Sequence, residues 1–179
     1  MSRAPVVRVR PRRVSDLDAC VRALAQVHAL DGYPTDWPER PADWLATAAP
    51  VGAWVAELDG QVVGHIVLCP GAPDDVAPAL WSEGREATAV VSRLFVAPEA
   101  RGYGIGARLL ERVVAEAGEL GLHPVLDVVA SDTSATALYE RTGWRFLGTG
   151  EQHWGPRRTV TVRCYAAPPS VPADSPGAN

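Results

Sequence analysis

A strand that runs into three alternate glycines and then straight into a long helix leaves a chain few ways to fold. From Ser92 to Leu110 this one reads SRLFVAPEARGYGIGARLL. Residues 87–96 hold Ala89, Val90 and Val91, then Leu94, Phe95 and Val96, the continuous apolar run of a strand covered on both faces. Pro98 turns the chain, and Gly102, Gly104 and Gly106 follow within five residues. Ile105, Leu109, Val113, Ala117 and Leu120 then share one stripe of a helix spanning 104–120, and Gly121 closes it.

Glycines at such a junction adopt backbone conformations closed to other residues and let a ligand approach closely. The helix's first N–H groups point into the gap and, with the helix dipole, make an anion site. Arg101 and Arg108 flank it with positive charge. A pyrophosphate is the expected occupant. A P-loop needs a lysine, and all 17 basic residues are arginine. A dinucleotide fingerprint through Gly102, Gly104 and Ala107 fits poorly, because Ala97–Arg101 separate it from the strand end.

The rest of the chain supplies a frame. Residues 6–10 alternate as a strand near a sheet edge. A helix capped by Ser15 carries Leu17, Cys20, Val21, Leu24 and Val27, and ends at Asp31-Gly32. Three prolines exclude a regular element across 33–41, and a short helix is expected over 42–48. Strands 53–58 and 61–68 meet at Asp59-Gly60, a tight-hairpin signal. The Pro-, Gly- and Asp-rich stretch 69–84 reads as a long loop. Strand 124–130, a helix capped by Ser131 or Asp132 and running to Thr142, and strands 144–148 and 159–165 complete the order β-α-α-β-β-β-α-β-α-β-β. That order implies a mixed sheet in a single α/β domain over 1–166. Residues 167–179 read as a disordered tail.

Arg101-Gly102-Tyr103-Gly104-Ile105-Gly106 resembles the R/Q-x-x-G-x-G/A motif of the GNAT-type N-acetyltransferases, and Leu126–Trp144 (LDVVASDTSATALYERTGW) is similar to that family's second signature. The resemblance spans roughly 90–146. It implies a three-layer fold, with a mostly antiparallel mixed central sheet flanked by helices and splayed strands at the cofactor site. It implies acetyl-CoA as co-substrate. Backbone at Leu94, Phe95 and Val96 would pair with pantetheine and polarise the thioester carbonyl. Arg101, Gly102, Tyr103, Gly104, Ile105, Gly106 and Ala107 would hold the pyrophosphate. Asp132 stands where relatives often carry an Asn that contacts the cofactor; helix capping is its other reading. Tyr139 matches the general acid that protonates the departing thiolate. Many relatives have a Glu where this chain has Val90. Asp127, a carboxylate in an apolar strand, reads either as the base or as a structural carboxylate bonded to a backbone amide or an arginine, with Glu86 acting through a water as second choice for the base.

The expected reaction is direct attack by a primary amine, of a small molecule or a peptide, within a ternary complex. Cys20, Cys69 and Cys164 occupy no nucleophile position and no zinc-like spacing, so neither an acyl-enzyme nor a metal is expected. The acceptor is expected between the loops 33–40 (Tyr33, Asp36, Trp37, Glu39) and 150–158 (His153, Trp154). His28, His65 and His123 read as packed or surface residues. A net charge of −4 argues against a nucleic-acid partner. No apolar run is long enough to span a bilayer, and cytoplasmic residence is expected. A homodimer is common in such folds and stays open. The alternatives are a catalytically silent acyl-CoA-binding module on the same fold and, more distantly, a dinucleotide-dependent oxidoreductase.

Overall fold

The computed structural model describes residues 3–47, 49–72, 74–81 and 87–169. Its frame starts from the hairpin. Asp59 and Gly60 both take positive φ, 50° and 83°. That is the two-residue turn whose twist matches the strands it joins. It links β2 (Gly52–Leu58) to β3 (Gln61–Pro70), and β1 (Val7–Pro11) adds antiparallel to β2 as an edge. Asp59 Oδ1 accepts from the Val6 N–H at 3.0 Å and ties the hairpin tip to that edge.

The seven strands among the described residues lie in the order β1-β2-β3-β4-β5-β7-β6, with β4 at Ala87–Val96, β5 at Leu122–Val129, β6 at Arg145–His153 and β7 at Thr159–Ala166. Among the described strands only β4 and β5 pair in parallel. Their crossover is the helix α4 (Ile105–Glu119). A doubly wound dinucleotide fold would need a largely parallel sheet, so the oxidoreductase alternative has no scaffold here.

Helices cover both faces at the β5 end. Val125, Val162, Cys164 and Ala166 pack on Ala77 of α3 (Val76–Leu80). The alternate residues Leu126 and Tyr165 face the main core with Tyr139 of α5 (Thr133–Arg141). At the other end α4 presses onto Gly64: a Cβ there would stand 3.2 Å from Ile105 Cγ2 and from Leu109 Cδ1. The next side chain, His65, turns to the opposite face.

Several local expectations are corrected. Ser15 does not cap the first helix. Val14–Asp16 form a 3-10 turn before α1 (Leu17–Asp31), because the Asp16 carboxylate accepts from Arg13 N–H at 2.7 Å and pairs with Arg10. The short helix α2 spans Pro41–Ala46. The stretch 69–84 is not one loop: β3 runs through Pro70, and α3 lies within it, hidden by its prolines. β6 runs to His153, well past 148. It is an edge strand, largely exposed, so it carries little apolar alternation to read. Ala167 still donates to the Pro124 carbonyl at 2.9 Å; residues 170–179 lie outside the described set.

Candidate active site

Two irregularities in β4 open the sheet. Toward β5, pairing covers only Ala87–Val90 against Leu122–Val125, after which the strands separate. Toward β3, Ser92 pairs with Val67 and Phe95 with His65, so Arg93 and Leu94 oppose Ile66 alone. This is a bulge, with Arg93 in the left-handed region at φ 52°. Leu94, Phe95 and Val96 therefore carry no β5 partner among the described residues.

A cleft of about 1030 Å³ fills the split. Leu94, Phe95, Val96, Arg101, Gly102, Gly104, Ile105, Gly106, Ala107, Asp127, Asp132 and Tyr139 all line it. Tyr103 does not; its side chain is exposed. Glu86 lies outside the described residues.

The glycine turn is built as an open cradle. Gly102 and Gly104 take φ of 88° and 71°, and a Cβ on either would meet nothing within 4 Å. The first helical bond runs from Arg108 N–H to Gly104 O. The N–H groups of Ile105, Gly106 and Ala107 are thus left without an intrahelical acceptor. Gly106 has a packing reason: a Cβ would lie 3.0 Å from Leu138 Cδ2. The flanking charges are partly spent. Arg101 ion-pairs with Asp31 at the end of α1, and Arg108 turns away to donate to Val7 O at 3.1 Å.

Tyr139 sits on α5, its ring 5.8 Å from Tyr165 and 6.0 Å from Trp144. Burial raises its pKa, so the hydroxyl stays protonated near neutrality. No hydrogen-bond partner meets that hydroxyl among the described residues. Asp127 stands on β5 opposite Cys164. Burial raises its pKa, the Gln152 side chain offsets part of this by hydrogen bonding, and Asp75 adds to the rise. Asp132 lines the cleft while its carboxylate accepts from Ala135 N–H at 3.0 Å, capping α5.

The structure gives three residues places in the site beyond what the sequence indicates for them. His65 is fully buried. Its Nε2 lies 2.8 Å from Arg12 Nη1 and its Nδ1 lies 2.9 Å from Arg93 O. A guanidinium only donates, so Nε2 accepts and Nδ1 carries the proton that binds the bulge carbonyl. Burial pulls the pKa of His65 down to about 4, which keeps it neutral. Tyr33, expected only in an acceptor loop, lines the cleft near enough to Tyr139 to raise its pKa further. Arg93 also lines it. A cation inside an apolar strand is the same signal that singled out Asp127.

Of the other acceptor-loop residues, Trp154 lines the cleft, and Arg158 joins the two loops to Asp36 at 3.5 Å. Trp37 packs on His28 instead, with ring centroids 5.3 Å apart. Among the described residues, no group of three His, Cys, Asp or Glu is placed to hold a metal, and no helix is long and apolar enough to cross a membrane.

Comparison with known proteins bears on this geometry. The family model described as "Acetyltransferase (GNAT) family" matches residues 19–144. An uncharacterized N-acetyltransferase, YesJ, of Bacillus subtilis (strain 168) is 31% identical over 53% of this chain and 53% of its own. The chain thus spans about half the length of that curated relative. The crystal structure of ribosomal-protein-alanine N-acetyltransferase from Brucella melitensis is 26% identical with a TM-score of 0.65, covering 89% of this chain and 98% of that one. Arabidopsis thaliana NAA60, solved with acetyl-CoA, shares the fold at TM-score 0.66 and 19% identity, covering 90% of this chain and 98% of that one.

Proposed function

The chain belongs to the acetyltransferase (GNAT) family, and from that premise we propose that it transfers an acetyl group from acetyl-CoA to a primary amine within a ternary complex, through a domain spanning 1–166. One observation carries this reading: an open run of β4 backbone connects helix N–H groups at 105–107, free of intrahelical acceptors, to a tyrosine hydroxyl without a partner among the described residues.

The residues present suit a coenzyme A thioester. The N–H groups of Ile105, Gly106 and Ala107 and the open space over Gly102 and Gly104 accept a diphosphate. Backbone at Leu94–Val96 accepts the pantetheine amides and polarises the thioester carbonyl. The acceptor ammonium has no lone pair and must first lose a proton. Asp127 takes it, its carboxylate made more basic by burial. The nitrogen then bonds to the carbonyl carbon as the carbon–sulfur bond breaks. Tyr139 gives its proton to the sulfur and is restored by the second proton shed from nitrogen. Val90, at the last paired rung of β4 and β5, lines the cleft without a carboxylate.

That missing carboxylate favours one second reading, a silent acyl-CoA-binding module. Thiol release in the presence of acetyl-CoA and a panel of amines separates the two. Amine-dependent release is expected. Binding of acetyl-CoA with no release for any amine would leave only the silent module.

A further inference from the structure

Resting on the acetyltransferase reading, we infer that the acceptor amine carries a carboxylate and that Arg93 holds it. Among the described residues six arginines pair with carboxylates: Arg10 with Asp16 and Glu57, Arg40 with Asp43, Arg101 with Asp31, Arg112 with Glu116, Arg158 with Asp36 and Arg163 with Glu140. Arg93 has none among the described residues, although it lines the cleft and its Nε is buried without a hydrogen-bond partner. A guanidinium in that position lacks both a counter-charge and acceptors for its N–H groups, and a ligand can supply them.

Its surroundings hold it ready. The Cζ lies 4.5 Å from the centre of the Trp44 ring, and stacking on an indole face leaves the N–H edge free. One N–H donates to Ser92 Oγ at 3.0 Å. The backbone carbonyl of the same residue is pinned by His65. Placement also separates it from the diphosphate cradle. Arg93 sits at the bulge within β4, whereas the cradle lies beyond the strand's end at Val96. Trp44 and Tyr33, which border it, belong to the helix and loop that follow α1.

The chemistry on the far side is complementary. Tyr33 feels Arg93 as a lowering influence and Asp127 and Asp132 as raising ones, so opposite charges face one region of the cleft. An amine directed to Asp127 and a carboxylate directed to Arg93 fit one small zwitterion. A single guanidinium balances one negative charge, and the two aspartates oppose a second, which favours a carboxylate over a phosphate.

The test is thiol release with paired acceptors, amino acids against the matching amino acid amides, for wild type, Arg93→Gln and Arg93→Lys. A charge-assisted hydrogen bond is worth about 1.5–3 kcal/mol, so the best acids should exceed their amides by roughly 10- to 100-fold in kcat/KM. Arg93→Gln should abolish that preference through KM while acetyl-CoA still raises its Tm, and Arg93→Lys should keep part of it. Equal use of acids and amides by wild type, or an unchanged preference in Arg93→Gln, would overturn the inference and leave the acetyltransferase reading intact. No release with any amine, while acetyl-CoA still binds, would overturn both.

Discussion

Tyr139→Phe separates chemistry from packing more cleanly than any other change. The ring stays, and with it the contacts to Tyr165 and Trp144 at 5.8 and 6.0 Å. Only the hydroxyl goes. A buried hydroxyl with a partner is worth about 0.5–1.5 kcal/mol, which in a domain of this size shifts Tm by roughly 1–6 °C. This hydroxyl has no partner among the described residues, so the variant should melt within about 1 °C of wild type. Its effect should fall on turnover. Loss of a positioned acid costs about 10²–10⁴ in rate, so kcat should drop by at least about a hundredfold while the Kd for acetyl-CoA moves less than about threefold. Calorimetry, titration of acetyl-CoA and steady-state thiol release measure the three quantities. A kcat within threefold of wild type would refute the acid role. A large fall in Tm with a matching loss of acetyl-CoA affinity would make Tyr139 structural.

Three further outcomes follow from the same geometry. Asp127→Asn should lower kcat/KM and remove the acid limb of the pH–rate profile; wild-type activity should fall with acidification through a pKa that burial raises from the ordinary aspartate value, and an unchanged profile would leave Asp127 structural. Asp16, held by Arg10 at a pKa of about 2, should contribute up to about 2 kcal/mol of stability. Because its folded pKa is depressed, that contribution is complete above about pH 4 and is lost as pH falls toward 2. Asp16→Asn should be less stable than wild type at pH 7 by urea unfolding, with the gap closing in acid. His65→Ala leaves Arg12 and the Arg93 carbonyl unmatched in the core and should cost about 3 kcal/mol or more by the same assay; a neutral effect would contradict the pinned bulge.

What could be read from the chain followed the range over which each feature is determined. The turn 101–106, the Asp59-Gly60 hairpin and the Asp132 cap are set by neighbours a few residues away, and all stand where residue types place them. The bulge at Arg93 depends on the register of β3 against β4, which strand composition does not encode. His65 bridges to Arg12, 53 residues away, and to Arg93, 28 residues away, so its role exists only in the folded chain. Arg108 was placed beside the anion site by spacing, yet Val7 on the edge strand draws it off. The helix Val76–Leu80 is short and holds Pro78 in its first turn, and Ala77 packs it against β5 and β7.

Backbone amide shifts in a titration of the isotope-labelled protein with coenzyme A test the core of this account most directly. The largest changes are expected at Gly102–Ala107 and at Leu94–Val96, with smaller ones on β1 and β6. Saturable binding that left those amides unmoved while shifting others would contradict it.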